Sequence, residues 1–460
     1  MFPIAEITGG TLDSTIMYLA VIGGLLLVAS LLRMYVPFFK RFYMPAALIA
    51  GIIGLILGPN FIGLIPKELN TMYSALAGRL ILFVYAPLLM RKSNLDKKQA
   101  TKMVGTRVTF CYLNCFMQYA FPLALCLLIF TPLWGINPLF GTIVEQGWAG
   151  GHGTSGGMAA IFEQFGWMDG ATLSITSATV GLIFGIVGGT VLINIAVRKG
   201  WTNYITKVES RKDSKADEEI FSTESAPIAA KLTVSPNVID SFSFHLALMS
   251  LAIFIGWFIN KAFYKWTGIS LSWFVCAMFV GWGLKALLKP TKLYDAIDNA
   301  TITRIQSIAL DFLITGAVAS VNIPVVISYA LPLIIQQLLM YGIILFLFLW
   351  VAPRIWDKDW FEHSIATYGT YTGVTAVGYL LYRMVDPELK CNDYEISAGA
   401  TPFCNWSIGG GLISTMTPSF IMKYGATPVC LAYVGGVIVC FIVLRVFFWH
   451  PNATKAVKIN

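Results

Sequence analysis

Gly150-Gly-His-Gly-Thr-Ser-Gly-Gly157 interrupts a chain that consists mainly of long apolar runs. A stretch so rich in glycine does not sustain a stable helix, because glycine loses more conformational freedom on folding than any other residue. At membrane depth, non-helical backbone survives only when it is buried in protein or lines a water-filled cavity, since unpaired N–H and C=O groups are costly in lipid. The stretch therefore predicts part of a substrate pathway.

The composition is typical of a polytopic membrane protein. Of the 460 residues, 57% are apolar and only 12% are charged, with a mean hydropathy of +0.70. These values lie outside the range of soluble domains. The net charge of +8 comes from basic residues in short loops between apolar runs, which indicates membrane topology and not nucleic-acid binding. The eight cysteines contain no C-x-x-C or zinc-finger spacing, and no cofactor is expected.

Apolar runs that can cross a bilayer, which takes roughly 20 residues, form two sets. The first set is 15–32, 43–57, 73–90, 103–130 and 172–197, and the second is 242–259, 269–288, 302–320, 325–351 and 401–422. A further run at 431–449 follows the second set. The predicted domains are an N-terminal repeat at 1–198, a polar cytoplasmic linker at 199–241, a second repeat at 242–424, and an extra helix with a tail at 425–460.

Each repeat also contains a broken segment before its last span. The predicted re-entrant loops are 141–166 and 356–386; the second contains a glycine- and threonine-rich stretch. Placing Thr154 on Thr375 also aligns Gly157 with Gly378. Because five spans precede the second set, that set enters the membrane upside down. The predicted fold is an all-α polytopic membrane protein with two inverted five-helix repeats, each with a re-entrant hairpin, plus one extra C-terminal transmembrane helix.

Lysine and arginine residues cluster in alternate connections, which the positive-inside rule assigns to the cytoplasm. The opposite face holds few basic residues, namely Lys67, Lys261, Lys265 and Lys423. This pattern predicts an outside N-terminus, with the central linker and the C-terminus in the cytoplasm.

The sequence resembles the bacterial sodium/glutamate symporters, whose first re-entrant loop carries Gly-Gly-His-Gly-Thr as Gly150 to Thr154 does here. The similarity extends to Ile161-Phe-Glu-Gln-Phe-Gly166, Phe274-Val-Cys-Ala-Met-Phe-Val-Gly281 and Ala330-Leu-Pro332. The resemblance implies a homodimer in the bacterial inner membrane that moves glutamate with sodium. This chain is a divergent member, because Thr372-Gly-Val-Thr-Ala376 stands where the family usually has Ala-Thr-Pro-Thr-Ala.

The two broken stretches supply the candidate substrate ligands. Half-helix N–H groups attract a carboxylate, whereas unwound carbonyls and hydroxyls suit a hard cation such as Na⁺. The substrate is expected to be a small anionic or zwitterionic molecule such as glutamate. Ten residues are predicted to bind it: Gly150, Gly151, His152, Gly153, Thr154, Ser155, Thr370, Thr372, Gly373 and Thr375. Changing Gly153 or Gly373 to Leu is expected to abolish transport. Alternatively, these glycines only permit close helix crossing.

Ion coupling, by Na⁺ or by H⁺ in its place, is assigned to Asp311, Thr375 and Glu145, of which Asp311 and Thr375 are the Na⁺ candidates. A carboxylate within a span is costly without a partner. The structural alternative for Asp311 is a salt bridge to Arg304 or Arg79.

Two other functions fit parts of the pattern. A passive channel also explains two loops that meet at the midplane. An intramembrane serine hydrolase would use Ser155 of Gly153-Thr-Ser-Gly156 with His245 as its base, which requires the two side chains within hydrogen-bond reach. Secondary transport explains both broken segments and is the favoured function; the protein is not expected to be an enzyme.

Overall fold

A computed structural model describes residues 9–41, 44–91, 101–204, 230–267, 273–356, 358–386, 390–391 and 393–450. The predicted starts at residues 43 and 269, most of the linker, and the tail from residue 451 lie outside these residues. The described chain contains helices and no strand. Helix is the expected solution, because it satisfies every backbone polar group within the segment itself.

The first half consists of a series of helices, then a broken hairpin, and then one rod that follows the hairpin. They are α1 Gly9–Tyr35, α2 Pro37–Arg41, α3 Ala46–Leu57, α4 Lys67–Tyr85, α5 Thr101–Leu125, α6 Thr131–Trp134, α7 Ile143–Trp148, α8 Gly151–Gly157, α9 Ala159–Gln164, α10 Gly170–Ile183 and α11 Gly189–Lys199. Single π-helical turns join α5 to α6 and α10 to α11, so each pair forms one continuous rod.

The second half has a similar order of elements. Its helices are α12 Ser241–Thr267, α13 Trp273–Leu288, α14 Leu293–Ala296, α15 Asn299–Ala319, α16 Ile323–Ser328, α17 Ala330–Phe346, α18 Ala352–Ile355, α19 Trp360–Val385, α20 Asp393–Cys404, α21 Leu412–Tyr424 and α22 Ala426–Val443.

Seven of the described helical rods are long and apolar enough to cross a membrane. They differ in how much of their surface the rest of the protein covers. Only 17% of the apolar window of α1 and 22% of that of α12 is buried, against 61% for the rod that begins with α5 and 50% for α15. The first two helices are therefore peripheral, and α5 and α15 lie in the interior. The predicted all-α polytopic membrane fold is confirmed.

One predicted span is wrong. The run at 401–422 is not a continuous helix, because α20 ends at Cys404 and α21 begins only at Leu412. The intervening segment contains Gly409, Gly410 and Gly411, and the first two have φ values of +64° and +97°. Residues that carry a side chain rarely adopt this left-handed backbone conformation, whereas glycine adopts it without steric cost. The second half thus contains two breaks, one in α19 and one between α20 and α21.

Candidate functional site

Hairpin 1, residues 138–164, reverses direction at its glycine-rich stretch. Gly151 has a φ of +71° and is the first residue of α8, after α7 has ended at Trp148. Beyond this turn, the Ser155 hydroxyl donates to the Gln146 carbonyl at 3.3 Å, nine positions earlier, and Ser174 Oγ donates to Ser155 Oγ at 2.8 Å. A straight helix would separate residues 146 and 155 by about 13 Å. The chain therefore folds back on itself within the protein.

Hairpin 2 is α19, whose backbone is non-helical at Gly373 and Val374. A Cβ built on Gly369 would lie 2.7 Å from Gly378 Cα, so this segment also doubles back. Val374 has a φ of +67°, which is a strained conformation for a β-branched residue. Such strain persists only where the surrounding structure enforces it, and it is concentrated at functional sites.

The two hairpins touch at their breaks. A Cβ added at Gly151 would collide with Val374 Cγ1, so the absence of a side chain at Gly151 allows the tips to meet. Gly151 and Val374 both have a left-handed backbone conformation, and aligning the two halves on these residues places His152 opposite Thr375. The predicted register, with Thr154 on Thr375, is therefore displaced by two residues.

The third break, at Asn405–Gly411, packs against hairpin 1 through a buried carboxylate. Glu145 accepts hydrogen bonds from Tyr119 Oη at 2.6 Å, Ser414 Oγ at 2.8 Å and the Gly409 N–H at 2.8 Å. Cys115 Sγ is a further donor at 3.6 Å. All of these groups donate, so the buried carboxyl oxygens are satisfied by hydrogen bonds within the protein. Glu145 thus ties hairpin 1 to the start of α21.

A cavity of about 210 Å³ lies where hairpin 2, α20 and the third break face one another. Its lining combines aromatic, hydroxyl and amide groups with one cation. The lining residues are Val84, Tyr85, Leu88, Arg107, Ala149, Ala366, Thr370, Tyr371, Thr375, Gly378, Tyr379, Ser397, Ala400, Thr401, Cys404, Asn405, Ile408 and Gly409. An apolar wall with a few convergent polar groups is the usual form of a small-molecule site.

Arg107 is the cation in this lining, and its residue is only 3% exposed. The guanidinium donates to Thr367 Oγ1 and forms an ion pair with Asp393. Its Nε is buried and has no hydrogen-bond partner in the described part of the chain. Sequence reasoning missed Arg107, although a single arginine inside the apolar run 103–130 was a signal, because intramembrane charges are rare and usually functional.

The family comparison covers most of this architecture. A sequence model of the family described as sodium/glutamate symporter matches residues 11–374.

The chain belongs to the sodium/glutamate symporter family. The protein is therefore an integral membrane, ion-coupled secondary transporter. The matched part includes hairpin 1, Arg107 and the tip of hairpin 2. The cavity wall from Thr375 to Gly409 follows the matched part in the chain.

A solved structure with overall likeness to the symporter is the sodium proton antiporter MjNhaP1 from Methanocaldococcus jannaschii. The sequence identity is 13%, the TM-score is 0.40, and the alignment covers 94% of the symporter and 99% of the antiporter chain. No curated protein sequence matches the symporter significantly.

Of the predicted substrate ligands in the symporter, only Thr370 and Thr375 line the cavity. Hairpin 1 reaches the cavity through Ala149, while Thr154 lies behind Tyr85, whose hydroxyl is 3.0 Å from Thr154 Oγ1. Gly150, Gly151 and Ser155 lie in the turn of hairpin 1. These residues form the tip of hairpin 1 and do not belong to the cavity lining.

The other predicted ligands face different elements. His152 Nε2 lies 3.0 Å from Thr179 Oγ1 on α10. A Cβ on Gly153 would point at Ile81 and Leu310, and Thr372 donates to the Tyr368 carbonyl at 2.8 Å. Gly373 packs near Leu182. The structure thus brings the two hairpins together but turns most of the predicted ligands away from the cavity.

Asp311 lies outside the cavity lining, on an exposed part of the α15 surface. Its backbone carbonyl accepts from Thr315 Oγ1 at 2.9 Å, and among described residues its carboxylate forms no hydrogen bond or ion pair. The adjacent Leu310 and the nearby Leu313 pack beside Gly153. Asp311 is thus on the helix that supports hairpin 1, at the level of its tip.

The geometry required for a serine hydrolase is absent at Ser155. His245 on α12 uses both ring nitrogens elsewhere, since Nδ1 lies 2.6 Å from the Ser241 carbonyl and Nε2 accepts from the Asp298 N–H at 2.8 Å. Ser155 pairs with Ser174 and Gln146 instead. His245 is therefore a structural residue that holds the connection before α15.

Proposed function

We propose that the protein is a sodium-coupled symporter of glutamate or a related small carboxylate, that the 210 Å³ cavity binds the substrate, and that it works by alternating access. The observation that carries this proposal is Arg107, whose buried guanidinium is the one cation among the residues that line the cavity. Guanidinium is the side chain best suited to a carboxylate, because its donors lie in one plane with fixed spacing.

The size and lining of the cavity fit a substrate of this class. Its volume of about 210 Å³ equals that of roughly seven water molecules, which suits an amino acid or a dicarboxylate. Tyr85, Thr370, Thr375 and Asn405 supply hydroxyl and amide groups for the polar parts of such a ligand. Tyr371 and Tyr379 cover its aliphatic part.

Na⁺ is the proposed coupling ion, with H⁺ as the alternative. Na⁺ is a hard cation that prefers oxygen ligands, and Thr375 offers a hydroxyl in the cavity beside the broken backbone at Gly373 and Val374. Glu145 already accepts from several protein donors, so its proposed part in coupling is to hold hairpin 1 against the third break. Asp311 remains a candidate that binds the cation or carries a proton on the α15 surface.

We further propose that the protein is a homodimer in the bacterial inner membrane, with the N-terminus outside and the linker and C-terminus in the cytoplasm. The resemblance to the family supports the first two proposals, and the distribution of lysine and arginine supports the orientation. Opening toward one side and then the other would require the hairpin tips to move relative to the third break. The contact of Gly151 with Val374 and the bonds of Glu145 would change during this motion.

The test is uptake of labelled glutamate into proteoliposomes driven by an inward Na⁺ gradient. Symport predicts accumulation above the outside concentration and its loss when an ionophore collapses the gradient. A passive channel would only equilibrate the label. If glutamate is not taken up, a thermal-shift screen of carboxylates with and without Na⁺ identifies the substrate, because a ligand of the folded state raises apparent stability.

Arg107→Gln tests the assignment of the cavity. We expect an apparent affinity about 10- to 100-fold weaker, since a hydrogen bond to a charged group contributes about 1.5–3 kcal/mol. Arg354→Gln is the matched control, because Arg354 lies over Trp350 away from the cavity. Removing Arg107 also takes away the arginine partner of the buried Asp393, so Arg107→Gln/Asp393→Asn is included to restore charge balance. Unchanged substrate affinity in a folded double variant would contradict the assignment.

A further inference from the structure

A second group of chemically reactive side chains lies beside the cavity but does not line it. Asp359 and His363 stand at the start of hairpin 2, and Cys391 follows its end. One ligand atom from each of these residues lies within 4.8 Å of the other two. His363 and Cys391 are buried, whereas Asp359 is half-exposed. The transport site described above uses none of these three groups.

His363 is oriented by a carboxylate. Its Nδ1 lies 2.9 Å from Asp393 Oδ1, which also pairs with Arg107. Donation of the Nδ1 proton to Asp393 leaves Nε2 with a free lone pair. A carboxylate that fixes the histidine tautomer in this way is the usual outer partner of a metal-binding imidazole.

Cys391 lies at a suitable distance from that imidazole. Its Sγ is 3.6 Å from Nε2 of His363 and 3.6 Å from Nδ1. With Zn–S of about 2.3 Å and Zn–N of about 2.0–2.1 Å, tetrahedral coordination puts sulfur and nitrogen roughly 3.6 Å apart. Because Sγ is equidistant from the two nitrogens, the imidazole must turn about its Cβ–Cγ bond to direct Nε2 at the ion, and its Nδ1 contact with Asp393 must adjust with it. The Cys391 backbone is fixed, since its N–H donates to Asp386 Oδ2 at 2.7 Å.

Asp359 completes the group from the solvent side. Its carboxylate accepts from Asn203 Nδ2 at 2.7 Å and from Tyr204 Oη at 3.0 Å. Each carboxylate oxygen has a second lone pair, so these bonds hold the side chain while leaving it able to bind a cation. The partial exposure of Asp359 supplies an entry path and room for a water ligand.

We propose that Asp359, His363 and Cys391 bind Zn²⁺ or a similar divalent transition metal, with water as the fourth ligand. Thiolate, imidazole and carboxylate together select such a metal over Na⁺, Mg²⁺ or Ca²⁺. The ion would join the entry of hairpin 2 to the segment that leads into α20. Both elements form walls of the cavity, so the bound metal would restrain their relative movement.

Titration of the purified full-length protein with Co²⁺ tests this site without any transport assay. Tetrahedral Co²⁺ bound to a thiolate gives intense visible d–d bands and a sulfur-to-cobalt charge-transfer band, and Zn²⁺ should displace both. Cys391→Ser should remove the charge-transfer band and weaken binding by at least about 100-fold, more than the 10- to 100-fold typical for loss of an outer-shell partner.

Cys440→Ser is the matched control, because Cys440 is also a buried free cysteine but lies on α22, away from the group. It should keep the wild-type spectrum. Asp359→Asn, at the half-exposed edge, provides a second test if Cys391→Ser does not fold, and it should weaken Co²⁺ binding about tenfold or more. The absence of a thiolate band in the wild type, its persistence in Cys391→Ser, or unchanged affinity in Asp359→Asn would each refute the site.

Discussion

Gly151 illustrates how a single missing side chain controls the contact between the two halves. Its φ of +71° and the position of Val374 both exclude a Cβ. Gly151→Ala should therefore destabilise the protein by about 1–3 kcal/mol, through the left-handed conformation and overpacking, and should abolish uptake. The measurements are the melting temperature in detergent and glutamate uptake.

Gly153→Ala is the control for this prediction. A Cβ at Gly153 would be in ordinary contact, 3.4 Å from Ile81 Cδ1 and 3.5 Å from Leu310 Cδ1. This variant should fold and transport normally, since alanine also favours a helix over glycine by roughly 0.5–1 kcal/mol. Loss of uptake in Gly153→Ala but not in Gly151→Ala would contradict the geometry of the hairpin contact.

Asp311 provides a second test at the residue scale. If it couples the ion, Asp311→Asn should remove accumulation of substrate against a gradient but leave exchange of labelled for unlabelled substrate across the membrane. Sodium dependence in the parent would favour coordination over protonation. Glu163→Gln is the control, because Glu163 is also exposed and lies on α9. Accumulation by Asp311→Asn equal to that of the parent would make Asp311 structural.

At the scale of elements, Glu145 is the main polar link between hairpin 1 and α21. Glu145→Gln replaces one acceptor oxygen with a donor amide that faces Tyr119, Ser414 or the Gly409 N–H. Leaving a buried donor unsatisfied costs about 1–3 kcal/mol. We expect a lower melting temperature and a faster hydrogen exchange confined to the third break and hairpin 1.

Ser414→Ala separates the two ends of this link. It removes one donor but leaves the carboxylate with Tyr119 and Gly409, so its effect should be smaller than that of Glu145→Gln. The Ser414 hydroxyl also accepts a hydrogen bond from the Gly410 N–H at 2.9 Å. If Ser414→Ala lowers the melting temperature as much as Glu145→Gln or more, Ser414 acts through this bond and not through Glu145.

At the scale of the whole molecule, α22 decides on which side the chain ends. The prediction of a cytoplasmic C-terminus is tested by a cysteine at Asn460, which should not react with an impermeant thiol reagent in intact cells. Lys67→Cys, at an exposed position predicted to face outward, should react. The native cysteines are all buried, so they give little background. Labelling at position 460 with none at position 67 would show that the protein has the opposite orientation in the membrane.

The sequence by itself determined the membrane class, most helices, the family and the presence of two broken segments. These properties depend on local composition: hydropathy adds up along a run, and a cluster of glycines weakens a helix wherever it lies. The third break also contains a cluster of glycines, Gly409 to Gly411, but the high average hydropathy of residues 401–422 led to the prediction of a continuous span there. Arg107 was also visible as a lone charge within a span.

Only the tertiary structure decided which side chains meet. Glu145 and Gly409 are 264 positions apart in the chain, and Arg107 and Asp393 are 286 apart. Whether such residues touch depends on the rotation and depth of each helix, which packing sets and a hydropathy pattern does not encode. For the same reason His152 and Thr372 face α10 and the backbone of α19, while Thr375 faces the cavity.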